Sequence, residues 1–231
     1  MLFPIGDDNI ERGRPAIFSY LFIVANIAVF LFQSILPEGP YASFIHTYGA
    51  VPVEISQGVD WSTLVTSIFL HGSWMHLIGN MIYLWIFADN IEAVIGNLRF
   101  VLFYLLGGLA AGLVQVGIDP NSSIPCVGAS GAIAAVMGAY IIMFPRSRIK
   151  MFLLLFFAVF YIPAWVFLGV WFGQQLSSGL GVLGMSGADA GGVAWWAHIS
   201  GFVFGAFAGF YYRRRFVSGS ALRRVEETRG D

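Results

Sequence analysis

VGASGAIAAVMGAYIIMF, residues 127–144, carries no charge and closes on Phe144-Pro145. A helix needs about 20 apolar residues to cross the hydrocarbon of a bilayer. Backbone polar groups in lipid must pair within their own segment, so helix is the reading for such a stretch. Near its start stands Gly128-Ala129-Ser130-Gly131, and far downstream Ala197-His198-Ile199-Ser200-Gly201 intrudes on another apolar run. Polar and ionisable groups at that depth cost free energy and tend to be retained for function.

Five further segments have the same character. They are Ala16–Leu36, Trp74–Phe87 with a polar extension to Ile95, Phe100–Ile118, Met151–Phe172 and Val193–Tyr212. Over 231 residues the chain is 58% hydrophobic and 11% charged, against about 25% charged in a soluble domain. The expected fold is an all-α membrane protein of six spans. Residues 1–15 precede the bundle, 16–212 form it, and 213–231 make a basic tail. One cysteine, Cys126, excludes an internal disulfide and a cysteine-only metal cage. The net charge of −1 is uninformative about partners, and no nucleic-acid partner is expected.

The basic residues fall on one side of this layout. Arg12 and Arg14 precede the first span, Arg99 follows the second, and Arg146, Arg148 and Lys150 follow the fourth. The remaining six, from Arg213 to Arg229, follow the last. The positive-inside rule then predicts both termini in the cytoplasm. The first span lacks a small-x-small cleavage site and reads as a retained helix. Two outer loops are long. Pro37–Ser73 contains Trp61–Leu70, which suits an interfacial element, and the Gly- and Ser-rich Gln174–Gly192 reads as flexible.

Depth gathers the polar groups. Ser130 lies just inside the fourth span, His198 five residues into the sixth, and His76 and Asn80 in the outer half of the second. At 1.5 Å per residue all four sit roughly 5–10 Å below the outer surface. His76 and Asn80 share a helix face at i, i+4. Ser130, Ala134 and Gly138 repeat every fourth residue, as do Gly201, Gly205 and Gly209. Such small-residue stripes let membrane helices approach closely, although alone they mean packing. A hydroxyl and an imidazole brought within about 3 Å can exchange a proton, which makes Ser130 a candidate nucleophile and His198 its base. The N–H groups opening the fourth helix, with His76 and Asn80, would face a developing oxyanion. Asn80 serves equally well as an interhelical hydrogen bond.

His71-Gly72-Ser73-Trp74-Met75-His76-Leu77-Ile78-Gly79-Asn80, Gly128-Ala129-Ser130-Gly131 and Ala197-His198-Ile199-Ser200-Gly201, in this order and layout, resemble the rhomboid family of intramembrane serine proteases. The resemblance covers about residues 16–212. It implies a rhomboid-like six-helix bundle in which a Ser130–His198 dyad cleaves transmembrane protein substrates near the outer face. It also implies His76, Asn80 and the Ser130 backbone N–H as oxyanion donors, with no cofactor and no metal. Supporting positions are His71, which orders the loop, and Gly128, Gly131 and Gly201. The fifth helix and the following loop would gate entry. Two departures stand out. Trp61 is followed by Ser62 where many members have arginine, and Ala134 occupies the place of a tyrosine under the base. Trp195 and Trp196 point away from His198 on an ideal helix.

The other candidates read blandly. His71 and His76 diverge by about 140° on a helix, and no His-Glu-x-x-His pattern occurs. His46 has no evident partner, Cys126 reads as an ordinary thiol, and Pro163 is expected to kink the fifth span. Short loops and no transit-like leader point to a prokaryotic plasma membrane with an extracytoplasmic site. Rival readings are an inactive binding or chaperone-like relative and a small transporter. The transporter is disfavoured by the shallow polar layer and the lack of repeats.

Overall fold

The computed structural model describes residues 2–8, 14–183 and 193–217. Nine helices among them are α1 (Ile17–Ser34), α2 (Glu38–Tyr48), α3 (Pro52–Ser56), α4 (Thr63–Thr66), α5 (Trp74–Ile95), α6 (Asn97–Ile118), α7 (Ser130–Met143), α8 (Ala164–Gly181) and α9 (Trp195–Phe216). Three of them, α1, α5 and α6, are long and apolar enough to cross a membrane, and α7 is shorter but equally apolar.

The middle of the bundle is α7. Every residue from Gly131 to Tyr140 is buried, packed by α5, α6, α8 and α9. Its closest partner is α9, because the small-residue stripes interlock. A Cβ on Gly201 would collide with the Gly131 carbonyl, and one on Gly205 with that of Ala135. The α6 surface is grooved in the same way. Gly108 receives the Ile68 side chain and Gly112 that of Leu64. The Trp61–Leu70 stretch is therefore docked through Leu64 and Ile68, while Trp61 and Val65 stay exposed.

At the end opposite Ser130, Glu92 is fully buried. Its carboxylate accepts from Phe18 N at 2.9 Å, Ser19 N at 2.7 Å and Ser19 Oγ at 2.5 Å. Those amides belong to the first turn of α1, where N–H groups lack helical partners and the dipole favours an anion.

The structure corrects the all-helical expectation. Leu2–Gly6 (β1), Arg148–Leu153 (β2) and Ala158–Pro163 (β3) form an antiparallel sheet in the order β1-β2-β3. The expected fifth span Met151–Phe172 is thus half hairpin. Its chain reverses through Leu154–Phe156 and Phe157, whose φ is 48°. Met151–Ile162 is rich in aromatic and branched side chains, which suit a strand as well as a span. Pro163 is the residue before α8, not a kink inside it. A proline restricts its predecessor to extended backbone, so helix begins only beyond it. The Gln174–Gly192 expectation also changes, since Gln174–Gly181 is helical; residues 184–192 lie outside the described residues. So does the tail from residue 218.

Candidate active site

Ser130 is the first residue of α7. Just before it, Gly128 has φ +126°, and its N–H donates to the Ser67 carbonyl at 2.9 Å. No L side chain adopts that φ easily. A Cβ there would also stand 2.7 Å from the His76 ring and 3.6 Å from Asn80 Nδ2. The glycine therefore turns the chain into the helix and lets its backbone lie against both side chains of α5.

His198 reaches Ser130 across the closely packed α7–α9 pair, with Nε2 2.8 Å from Ser130 Oγ. Its other nitrogen, Nδ1, lies 2.8 Å from Oε1 of Gln175 on α8. Gln175 is buried, and its amide Nε2 donates to the Trp171 carbonyl at 3.4 Å. A carbonyl only accepts, so this contact fixes the amide nitrogen on that side and the oxygen toward His198. An amide oxygen also only accepts, so Nδ1 carries the proton. The Nε2 lone pair is left facing Ser130 Oγ, the arrangement in which a hydroxyl can donate to imidazole.

Two tryptophans flank the imidazole. The Trp171 ring lies 6.0 Å away at 37° and the Trp195 ring 6.2 Å away, edge-on at 87°. Trp195 thus approaches the histidine that an ideal helix turned it from. Trp171 comes from the helix whose start was misplaced, and it stands beside the imidazole in a bundle where Ala134 replaces a bulky side chain.

The α5 groups are held by a relay. Ser73 Oγ accepts from His76 N at 3.1 Å and caps α5. Gly72 N donates to His76 Nδ1 at 3.5 Å, which leaves the Nε2–H pointing toward Gly128. Asn80 Nδ2 lies 2.9 Å from His71 Nε2. The amide donates there, and its second N–H remains for the site. His71 is fully buried. Burial, and then the neighbouring His76, lower its pKa from 6.5 to about 3. A neutral ring can accept from Asn80; an imidazolium cannot. The loop around His71 is in turn clamped by Gln33 of α1, which donates to its carbonyl and accepts from its N–H at 3.3 Å.

A cavity of about 830 Å³ opens over Ser130, His198, His76 and Asn80, with Trp171 and Gln175 in its wall. Cys126 also borders it. Burial, then Asp119, raises its pKa to about 11, so it stays a thiol. Its backbone pairs with Ala50 in both directions. His46 lies 3.8 Å from Glu54 on the surface. Among the described residues no group of three His, Cys, Asp or Glu is placed to hold a metal.

Sequence reasoning brought together Ser130, His198, His76, Asn80, His71 and the three glycines, and missed Gln175, Trp171 and Gln33. Gln33 had a readable signal: Ser19, Asn26 and Gln33 recur every seventh residue along one face of a mostly apolar helix.

The Rhomboid domain family matches residues 59–215. "Rhomboid protease GluP" of Bacillus subtilis (strain 168) is 32% identical over 143 residues, covering 62% of this chain and 27% of that protein. "Putative rhomboid protease YdcA" of the same organism is 31% identical over 122 residues, covering 53% of this chain and 60% of that protein. "Presenilin-associated rhomboid-like protein, mitochondrial" of Mus musculus is 29% identical over 152 residues, covering 62% and 36%. The chain therefore spans less than two thirds of each relative's length.

Proposed function

The chain belongs to the rhomboid family of membrane proteins, and on that premise we propose that it is an intramembrane serine endopeptidase. The observation that carries the reading is the 2.8 Å approach of Ser130 Oγ to His198 Nε2, with the proton of the imidazole held on the far nitrogen by Gln175. A substrate helix enters from the bilayer, unwinds locally and presents a peptide carbonyl in the cavity. Ser130 Oγ attacks as its proton passes to His198 Nε2. The oxyanion meets the unpaired N–H groups at the start of α7, the His76 Nε2–H and the free Asn80 N–H. His198 then gives its proton to the leaving amine, and the acyl-enzyme is hydrolysed by water that His198 deprotonates in turn.

Six spans are the reading of α1, α5, α6, α7, α8 and α9, with both termini on the basic, cytoplasmic side. The site then opens toward the extracytoplasmic face of a prokaryotic plasma membrane. That depth gives water access to a cavity otherwise walled by apolar helices.

The test pairs a fluorophosphonate probe with cleavage of a single-span reporter in vesicles. Wild type is expected to label at Ser130 and to cut; Ser130→Ala is expected to do neither while expressing normally. Cleavage at wild-type rate by Ser130→Ala overturns the assignment. A folded wild type that neither labels nor cuts any reporter favours the non-catalytic, binding alternative.

A further inference from the structure

We infer that the β2–β3 hairpin is a lipid-seated element, resting its apolar tip and outer strand in the acyl–headgroup boundary on the side where α7 ends and α8 begins. The inference rests on the membrane-spanning reading of α8, and its test separates the two.

The hairpin has the wrong surface for water. No charged residue occurs from Met151 to Ala188. At the tip, Leu155, Phe156 and Phe157 are 74%, 71% and 79% exposed. Along β3, Val159, Phe160 and Tyr161 are exposed in succession, so both faces of the strand are apolar. A half-buried strand beside water would alternate. As the last strand of the sheet, β3 also presents an open edge, which soluble proteins guard with charge or proline. Here only the terminal Pro163 does so.

What covers this surface follows from its neighbours. The sheet packs on the bundle, β1 against α5, and β2 and β3 against α8. Its exposed apolar surface runs on through Pro163 into Trp165 and Val170 of α8, themselves 57% and 68% exposed. The lipid that solvates α8 therefore reaches the hairpin without a break. Polarity along the hairpin agrees. Arg146 and Arg148 stand at its base, on the headgroup side, where the Arg148 guanidinium pairs with Asp8 at 3.2 Å and sits 5.6 Å from the Tyr161 ring. The paired strands run from Arg148↔Pro163 to Leu153↔Ala158, so about 17 Å separate Arg148 from the apolar turn, and Lys150, opposite Tyr161, stands about 10 Å from it. The open edge limits the depth. Unpaired backbone groups are not tolerated in hydrocarbon, whereas the interface hydrates them and favours aromatic rings.

Single cysteines carrying a nitroxide, placed by Leu155→Cys and Tyr161→Cys in a Cys126→Ala background, test this. The full chain is reconstituted in vesicles of equal parts phosphatidylcholine and phosphatidylglycerol. Collision with oxygen and with a water-soluble nickel chelate is then compared by spin-label relaxation. Val24→Cys on α1 is the lipid reference, Ser123→Cys the water reference and Val170→Cys the α8 reference. The expected result is an oxygen-to-nickel ratio at 155 and 161 several-fold above that at 123 and approaching that at 24. Ratios equal to that at 123, with 170 in lipid, overturn the hairpin's seat and leave the spans intact. Exclusion from both reagents with dipolar broadening means that a second copy covers the hairpin, and also overturns it. A water-like ratio at 170 removes the premise itself.

Discussion

Gln175→Met replaces the amide that holds His198 by a side chain of similar length whose thioether is only a weak acceptor. In the native arrangement Nδ1–H donates to Oε1 at 2.8 Å. A buried donor without a partner costs about 1–3 kcal/mol. The ring can escape that cost by moving its proton to Nε2, but that tautomer directs an N–H at Ser130 Oγ and cannot take the hydroxyl proton. Productive imidazole is then reduced by the net worth of one neutral hydrogen bond, about 1 kcal/mol, or roughly fivefold, rising to about 30-fold at 2 kcal/mol. The weaker 3.4 Å contact to the Trp171 carbonyl is also lost and adds little. The assay is steady-state cleavage of a single-span reporter in vesicles, with kcat expected to fall 5- to 30-fold and KM to stay within twofold. The pH profile should keep its shape, because no charge is removed. An unchanged kcat refutes the argument that Gln175 sets the tautomer. A collapse as deep as that of Ser130→Ala, in a protein that still binds the reporter, also refutes it, because a positioning residue does not carry the reaction.

The remaining predictions concern the donors and the pH range of the fold. His76→Ala should lower kcat by roughly 10²- to 10³-fold with little change in KM, as expected for one oxyanion donor; a loss confined to KM would assign His76 to substrate binding. Gly128→Ala forces a Cβ to within 2.7 Å of the His76 ring at φ +126°, and should abolish fluorophosphonate labelling while circular dichroism stays helical. His71 is held neutral, its pKa lowered from 6.5 to about 3. The unfolded chain therefore binds a proton that the fold refuses, and the contribution of His71 to stability, full above pH 7, is lost as pH falls below about 6.5. The melting point of wild type relative to His71→Gln, followed in detergent from pH 7 to 4, should fall, and the comparison cancels the contribution of Asp7, which titrates over the same range. Asp7 has the opposite sign. Burial raises its pKa from 3.8 to about 7 despite the hydrogen bond from Tyr140, so the fold retains its proton and the contribution of Asp7 to stability falls as pH rises from about 4 through 7. Asp7→Asn should remove that loss, with a higher melting point than wild type at pH 8.

Much of the site was legible because its geometry follows from helix periodicity. His76 and Asn80 share a face at any reasonable helix boundary, and the stripes of small residues on α7 and α9 bring Ser130 to His198 whichever residue begins each helix. The helix starts themselves were less secure. The run from Val127 reads as continuous span, yet the positive φ of Gly128 delays α7 to Ser130, which is what leaves the serine among unpaired N–H groups. Glu92 lies in the polar extension of the second span. That it anchors the first turn of α1, some 70 residues earlier in the chain, is a tertiary contact that no local pattern encodes. β1 was invisible for the same reason: five residues near the terminus become a strand only because β2 offers an edge.

The misread fifth span and the missing partner of His198 have one origin. Apolar length is the signal that finds membrane helices, and Met151–Phe172 has it, but a hairpin of aromatic and branched residues has it too. With a helix beginning at Met151, Gln174 and Gln175 fall into the following loop and Trp171 onto its last turn. With the helix beginning at Ala164, both Trp171 and Gln175 lie well inside α8, and their i, i+4 spacing puts them on one face. That face meets His198, one residue through its ring and the other through its amide. Pro163 was the discriminating residue. Taken as a kink, it left the helix register where hydropathy put it; taken as a barrier to helix on its N-terminal side, it moves the start to Ala164. The register then turns an amide assigned to solvent into the group that holds the imidazole proton away from Ser130.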